Sequence, residues 1–197
     1  MKIYTPNNYT LSAAAVLDPV TVGEAKTQLR IESDDYDDEI RKQIKAATDY
    51  IQTVEDRQFV TATWIGKLDR FPCSIYAEIR LAKSPLASVS SITYVDEDGA
   101  TQTWDSGDYR VDTDSEPGRI TLAYGEVWPT TRAITNAVSI TFVGGQLQAN
   151  VPQRIKQHLL MVVADWWWNR ETASEAQIKE TMWHNRLLWA NRVKQFS

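Results

Sequence analysis

Val60-Thr61-Ala62-Thr63-Trp64-Ile65-Gly66-Lys67-Leu68 decides the fold, because the apolar period of the chain changes here. Upstream, Ile40, Ile44, Ala47, Ile51 and Val54 recur at spacings of four and three, one narrow apolar seam on a helix expected over 36–57. At 1.5 Å per residue that helix is roughly 33 Å long. Downstream, β-rich runs follow one another: Ser74–Leu81, Val89–Val95, Thr101–Trp104, Tyr109–Asp112, Arg119–Leu122 and Ala137–Val143. Phe71-Pro72, Ser84-Pro85, Asp98-Gly99 and Gly144-Gly145 punctuate them, and Pro117-Gly118 sits where a type II turn wants Pro and Gly. The block reads as a small antiparallel sheet of about six or seven strands.

Outward from this block the periodicity is helical on both sides. Thr21-Val22-Gly23-Glu24 is a capping box opening a short helix over 22–30. Asp34, Asp35, Asp37, Asp38 and Glu39 place negative charge at the start of the next helix, where the dipole favours it. Val151-Pro152 opens a helix over 152–170 with Pro in its first turn, and Ile155, Leu159, Val162, Val163 and Trp166 share its core face. Ala173–Lys194 is expected to be helical again, with Ile178, Met182, Trp183, Leu187, Leu188 and Val193 spread too widely for a one-sided stripe. Residues 1–20, bounded by Pro6 and Asp18-Pro19, read as an arm with a short extended start. The expectation is an α+β fold, predominantly helical: a bundle of two N-terminal and two C-terminal helices with a small antiparallel β insertion. The arm spans 1–20, and a single domain spans 21–196, built from helices 21–58 and 152–196 around a β insertion at 59–148.

Composition excludes several classes of function. Of 197 residues, 43% are hydrophobic and 24% charged, the mix of a globular protein with a core. Apolar runs such as Ala13–Leu17 and Leu159–Ala164 fall far short of the roughly 20 residues that span a membrane, and Met1–Pro6 lacks the apolar region of a secretory signal. A cytoplasmic protein with no membrane partner is expected. The single Cys73 cannot form an internal disulfide, and with only His158 and His184 beside it there is no Cys/His zinc set. The net charge of -5 is opposite to the basic footprint of a protein that grips phosphate backbones.

No side-chain set anchors an enzyme or a cofactor. The Asp34–Glu39 cluster lacks the Gly and terminal Glu of an EF-hand loop and reads first as cap and solvated charge. Asp96, Asp98, Asp112, Asp114 and Glu116 fall at hairpin ends, where Asp bonds its own turn backbone. Cys73 and the two histidines belong to no nucleophile motif, His158 reads as a helix-face residue, and Gly144-Gly145 lacks the Lys and spacing of a P-loop. Arg119 reads as a solvated strand-end charge or a partner for Glu116. The eight tryptophans are the unusual feature. Trp166-Trp167-Trp168 point in directions about 100° apart on a helix, so they cannot all face one core. The final helix and the sheet cover the remaining rings, or one ring reaches a subunit interface, where Trp and Arg are enriched.

Taken in order, these elements resemble a known family. Thr21–Lys26 and Leu29-Arg30, Asp34–Ile40 entering a long helix through Ala46-Ala47 and Tyr50-Ile51, Pro85–Tyr94, Asp98-Gly99, Asp108–Asp112, Pro117–Ile120, and Val151-Pro152 leading to Ile155–Gln157 and Trp167–Glu171 are similar to the head-tail connector (adaptor, head-completion) proteins of long-tailed phages and prophages. The resemblance spans about 20–172, and the chain departs from shorter members from Thr172 onward. It implies a noncatalytic structural protein without cofactor or metal, made in the host bacterial cytoplasm and located in the virion at the head-tail junction. Such a protein binds the portal after DNA packaging, forms a ring, commonly dodecameric, and extends the DNA channel. It offers a docking surface to the next connector or tail-completion protein, while DNA passes without specific binding. Head-to-tail rings need two different complementary patches per subunit, and Trp166, Trp167, Trp168, Arg170, Trp183 and Trp189 are the expected interface residues. Two readings from other classes stand beside it: a tail-completion or other phage assembly component, and a metal-assisted hydrolase using Asp34, Asp35 and Asp38.

Overall fold

Helix α1 (Val22–Leu29) begins where the capping box places it. Thr21 Oγ1 accepts from the Glu24 N–H at 3.1 Å, and the Thr21 N–H donates back to Glu24 Oε2 at 2.6 Å. Arg30 closes the helix in the left-handed region. A short 3-10 turn, Asp34–Tyr36, leads into α2 (Asp37–Glu55), whose buried residues include Ile40, Ile44, Ala47 and Ile51 from the expected seam. Helix α3 (Gln153–Trp168) buries Ile155, Leu159, Val162 and Val163 against them. The computed structural model describes residues 2–168. The expected last helix over 173–194, with Arg170, Trp183 and Trp189, lies outside the described residues.

The β region is larger than expected and is organised differently. Its strands are β1 (Ile3–Tyr4), β2 (Asn8–Ala13), β3 (Ala62–Leu68), β4 (Glu78–Leu81), β5 (Leu86–Val95), β6 (Thr101–Thr103), β7 (Tyr109–Asp112), β8 (Gly118–Leu122) and β9 (Val138–Gly144). They form two sheets, one ordered β1-β4-β8-β7 and the other β2-β3-β9-β5-β6. Both sheets contribute to one core: Ile79, Leu81 and Ile120 from the first meet Leu68, Ile92, Val138, Ile140 and Phe142 from the second. Alternation along β9 shows the packing rule, with Val138, Ile140 and Phe142 buried and the residues between them half-buried.

The predominantly helical bundle is therefore corrected. Among the described residues strand accounts for 31% and helix for 29%, an α+β fold in which a two-sheet unit stands beside a layer of three described helices. Part of the difference comes from residues 3–13, which carry no strong strand pattern yet supply an edge to each sheet: β1 pairs parallel with β4 and β2 pairs antiparallel with β3. Tyr9 fastens β2 inward, its ring edge-on to Phe142 and its Oη accepting the Ala82 N–H at 3.0 Å. Burial pushes the Tyr9 phenol pKa well up. The expected type II turn at Pro117-Gly118 does not form either, since Gly118 is already the first residue of β8.

Helical layer and sheets join at one end of β3. Phe59 and Val60 belong to the helical core, and β3, seven residues spanning roughly 20 Å in steps of about 3.3 Å, carries the chain to Leu68 in the other core. Gly145, at φ +91°, lets β9 return beside Val60; a Cβ there would sit 2.6 Å from the Val60 carbonyl carbon and oxygen. Arg57, just past α2, grips Glu116 between β7 and β8 with a two-pronged ion pair, and Lys83 lies 3.4 Å from Asp56.

Candidate functional site

Two surfaces present groups that folding alone does not account for, one on the helical layer and one at the opposite end of the sheets. On the helical layer, consecutive positions of α3 diverge as a helix requires. Trp166 meets Tyr50 at 6.2 Å between ring centroids, and Trp167 meets Tyr36 edge-on at 5.6 Å. Both indoles pack against the helical core, whereas Trp168 is 72% exposed. Tyr36 and Tyr50 remain partly open, so this layer carries a run of aromatic surface. Deeper between α2 and α3, His158 is buried, not on an open helix face, with Nδ1 3.6 Å from Oε1 of the equally buried Glu55.

The acidic cluster at the start of α2 has local partners. Lys26 pairs with Asp34 and, at 3.0 Å, with Asp37; Arg41 pairs with Asp38 at 2.6 Å; Ser33 Oγ accepts the Asp35 N–H. The Lys26 ammonium holds the Asp34 carboxyl below the usual carboxylate range. Among the described residues no three His, Cys, Asp or Glu side chains gather as a metal site. At the hairpins, Asp96 accepts from Gln102 Nε2 and the Ala100 N–H, both at 2.8 Å, which keeps its pKa low.

The outer face of the four-stranded sheet holds an ion network that the strand-end reading of Arg119 missed. Arg119 does not meet Glu116, which Arg57 occupies. Its Nε donates to Asp112 at 2.8 Å and a terminal nitrogen lies 3.3 Å from Glu78, which also accepts from Arg80 Nε at 2.6 Å. The guanidinium holds the Asp112 carboxyl below the usual range. Glu78 and Arg119 are 41 positions apart, so no local spacing reveals them.

The far end of the sheets is closed by an aromatic plug of Phe71, Trp104, Tyr109 and Trp128, with centroids 4.9–5.8 Å apart. Above it, loops 69–77 and 123–137 meet, where the Trp128 indole N–H donates to the Ser74 carbonyl at 2.9 Å. The covered plug contrasts with what the loops display: Ile75 is 55% exposed and Val127 67%. Both line a concavity of about 410 Å³ together with Cys73, Pro129 and Glu97.

Residues 19–93 match the model of the phage gp6-like head-tail connector proteins. The connector resemblance read from the sequence is thereby shown over the stretch holding α1, α2, β3, β4 and most of β5. No curated protein matches the chain. Among solved structures, a chain in the neck of an empty gene transfer agent (GTA) particle, computed with C6 symmetry, superposes with a TM-score of 0.76 at 18% identity, over 96% of this chain and 97% of that one. Chains in the virion of the native GTA particle, at 17% identity, and in the native neck computed with C12 symmetry, at 18%, each superpose with a TM-score of 0.75 and the same coverage. At these identities the likeness is one of fold, and it extends over nearly the whole length of both chains.

Proposed function

We propose that this chain is a noncatalytic virion protein of the head-tail junction. It forms a ring, dodecameric in the particle, that binds the portal after DNA packaging, extends the DNA channel and receives the next connector or tail-completion protein. The observation that carries the reading is the connector-family match over 19–93 in a chain whose described fold overlaps a neck protein at 96% coverage. The symmetric necks to which those neighbours belong support a ring, and a ring closes through head-to-tail contacts between unlike patches. The aromatic surface of the helical layer supplies one such patch, with Trp168 open and Trp166 and Trp167 half-buried against the helical core. Arg170, Trp183 and Trp189 extend the same set of interface residues. A net charge of -5 suits a channel protein past which DNA slides, because like charge repels the phosphates.

The test is light scattering of the purified protein across a concentration series, alone and with portal rings. A closed species of many subunits, or a stoichiometric complex with the portal, is the expected result. A protein that stays monomeric and ignores the portal overturns the proposal, as does a particle lacking this protein that still joins its tail and keeps its DNA.

A further inference from the structure

We propose that the N-terminal arm of one copy receives the aromatic helical surface of the next copy in the ring, with the hollow between residues 11–18 and α2 taking the indole of Trp168 from that neighbour. The inference rests on the connector reading above and supplies the second of the two unlike patches that a head-to-tail ring needs.

The arm has the composition of a contact surface. No charged side chain occurs from Ile3 to Leu17, in a chain that is 24% charged. Leu11 is 46% exposed, Leu17 55% and Val16 95%, and Ala13 and Ala14 are open beside them. The bond from Gln148 Nε2 to the Asp18 carbonyl, 2.6 Å long, lays a second loop against the arm, and that loop adds Leu147 at 65%. This stretch is not a frayed terminus. Ala13 pairs with Thr63 on one side of it, and on the other Asp18 is tied and Pro19 and Val20 are buried. A contiguous apolar surface marks an interaction site, and groups ordered before binding lose little entropy on docking.

The hollow beside the arm indicates what fits. It measures about 290 Å³, at the lower limit of ligand-sized pockets, so it admits one large ring and not a helix. Leu11, Ala14, Leu17 and Trp64 give it apolar lining. Lys45, Asp49 and Asp18 bring both signs of charge, so apolar shape and not charge selects the guest. Lys45 also offers a cation to an aromatic guest, the pairing that Lys83 makes with Trp64 at 5.1 Å. The chain itself exposes such a ring: among the described residues, Trp168 is the one tryptophan that is more than half exposed.

Position favours a second copy. The α2 residues that line the hollow, Lys45, Thr48, Asp49 and Gln52, are centred roughly 150° around the helix from Tyr50, at about 100° per residue. Tyr50 belongs to the aromatic surface, so the two patches occupy nearly opposite flanks of one helical layer. Unlike patches placed in this way let each copy meet the next through the same contact, the condition for closing a ring. They also leave the loop end of the sheets open to the pieces above and below.

The experiment places Val16→Cys and Asp165→Cys together in a Cys73→Ser background, which removes the chain's own exposed thiol, and treats particles carrying this variant with a short bismaleimide. Asp165 is exposed one turn before Trp168 on the same side of α3, so the indole itself is kept. Links running from chain to chain in series, up to the full ring, are the expected result, and neither cysteine alone should link above background. Links confined within single chains, or none at all in particles that hold the protein, overturn the inference. So do pairs formed by Val16→Cys alone, because arm then meets arm. The second variant, Val16→Asp/Leu17→Asp, changes two exposed side chains. It is expected to keep the wild-type unfolding midpoint while its amount on heads falls about a hundredfold. If that variant folds poorly, the cysteine links decide alone. A folded variant present on heads in wild-type amount overturns the inference, whether its heads receive tails or not, because the arm then does not join the copies. Absence of the wild-type protein from the neck, by contrast, overturns the connector reading itself.

Discussion

Arg80 and Arg119 stand directly opposite each other on the paired strands β4 and β8, and the buried carboxylate of Glu78 accepts from both. Like charges opposite one another destabilise a strand pair; here one anion with no exposed surface converts the pair into a bridge. Glu78→Gln keeps the shape and removes the charge, leaving two guanidinium groups facing each other. A loss of roughly 2 kcal/mol in unfolding free energy is expected by urea titration, below the full cost of breaking a buried pair because both arginines reach solvent. The loss should shrink in an Arg80→Met background; equal losses in the two backgrounds would show that the carboxylate does not couple to Arg80.

Gly145 is the second point of sensitivity, because β9 must pass Val60 at a distance no side chain permits. Gly145→Ala meets both a positive φ and backbone at 2.6 Å. A destabilisation of about 2 kcal/mol or more is expected. Gly125→Ala is the control, with a similar φ of +87° and nothing within 4 Å, and should cost about 1 kcal/mol from backbone strain alone. Thermal unfolding of the two variants checks the difference.

The capping box of α1 predicts a pH dependence. The Thr21 N–H, followed by the Thr21 side chain and Lys156, holds the Glu24 carboxyl below its usual range. A folded-state pKa below the unfolded value means that stability is present above the unfolded pKa, near 4.3, and is lost as pH falls through the lower folded value. Thr21→Ala removes one half of the box and is expected to cost about 1 kcal/mol at neutral pH. Thr21→Ala keeps the dominant backbone N–H, so the acid test is Glu24→Gln, which removes the titrating carboxyl; that variant should lose less stability than wild type between about pH 5 and pH 3, and parallel acid curves would contradict the assignment.

Trp166 and Trp168 should separate folding from association. Trp166 packs on Tyr50 and the helical core, so Trp166→Ala is expected to lower stability by about 2 kcal/mol. Trp168→Ala removes a largely exposed ring and should leave the unfolding midpoint unchanged while weakening self-association about thirtyfold. Sedimentation and thermal unfolding on both variants check this, and an unaltered assembly in Trp168→Ala removes that residue from the interface.

What could be read along the chain were the elements whose causes are local. The capping box starts α1 where expected, the Ile40–Ile51 seam faces the helical core, and the runs ending at Asp112, Leu122 and Val143 became β7, β8 and β9 to within a residue. The likeness to the connector family was legible over the stretch where caps, seam and turns follow in order. Partner choice was not legible. Ile3 pairs with Glu78 and Tyr9 lies beside Gly66, and nothing near Ile3 or Tyr9 encodes those distant strands. Period-two alternation states which face of a strand is buried but not which strand lies alongside, since every backbone offers the same donors and acceptors. One expected sheet therefore became two, and the weight of the fold moved from helix toward strand. For the same reason Arg119 found Glu78 in place of Glu116, and Ile75 and Val127, ordinary apolar residues in sequence, became neighbours on an open surface. The sequence by itself determined the three described helices and the family resemblance that their caps and seam carry. Tertiary structure alone decided which strands pair, which charges meet and which apolar groups are left outside, because those outcomes depend on burial shared between segments far apart in the chain.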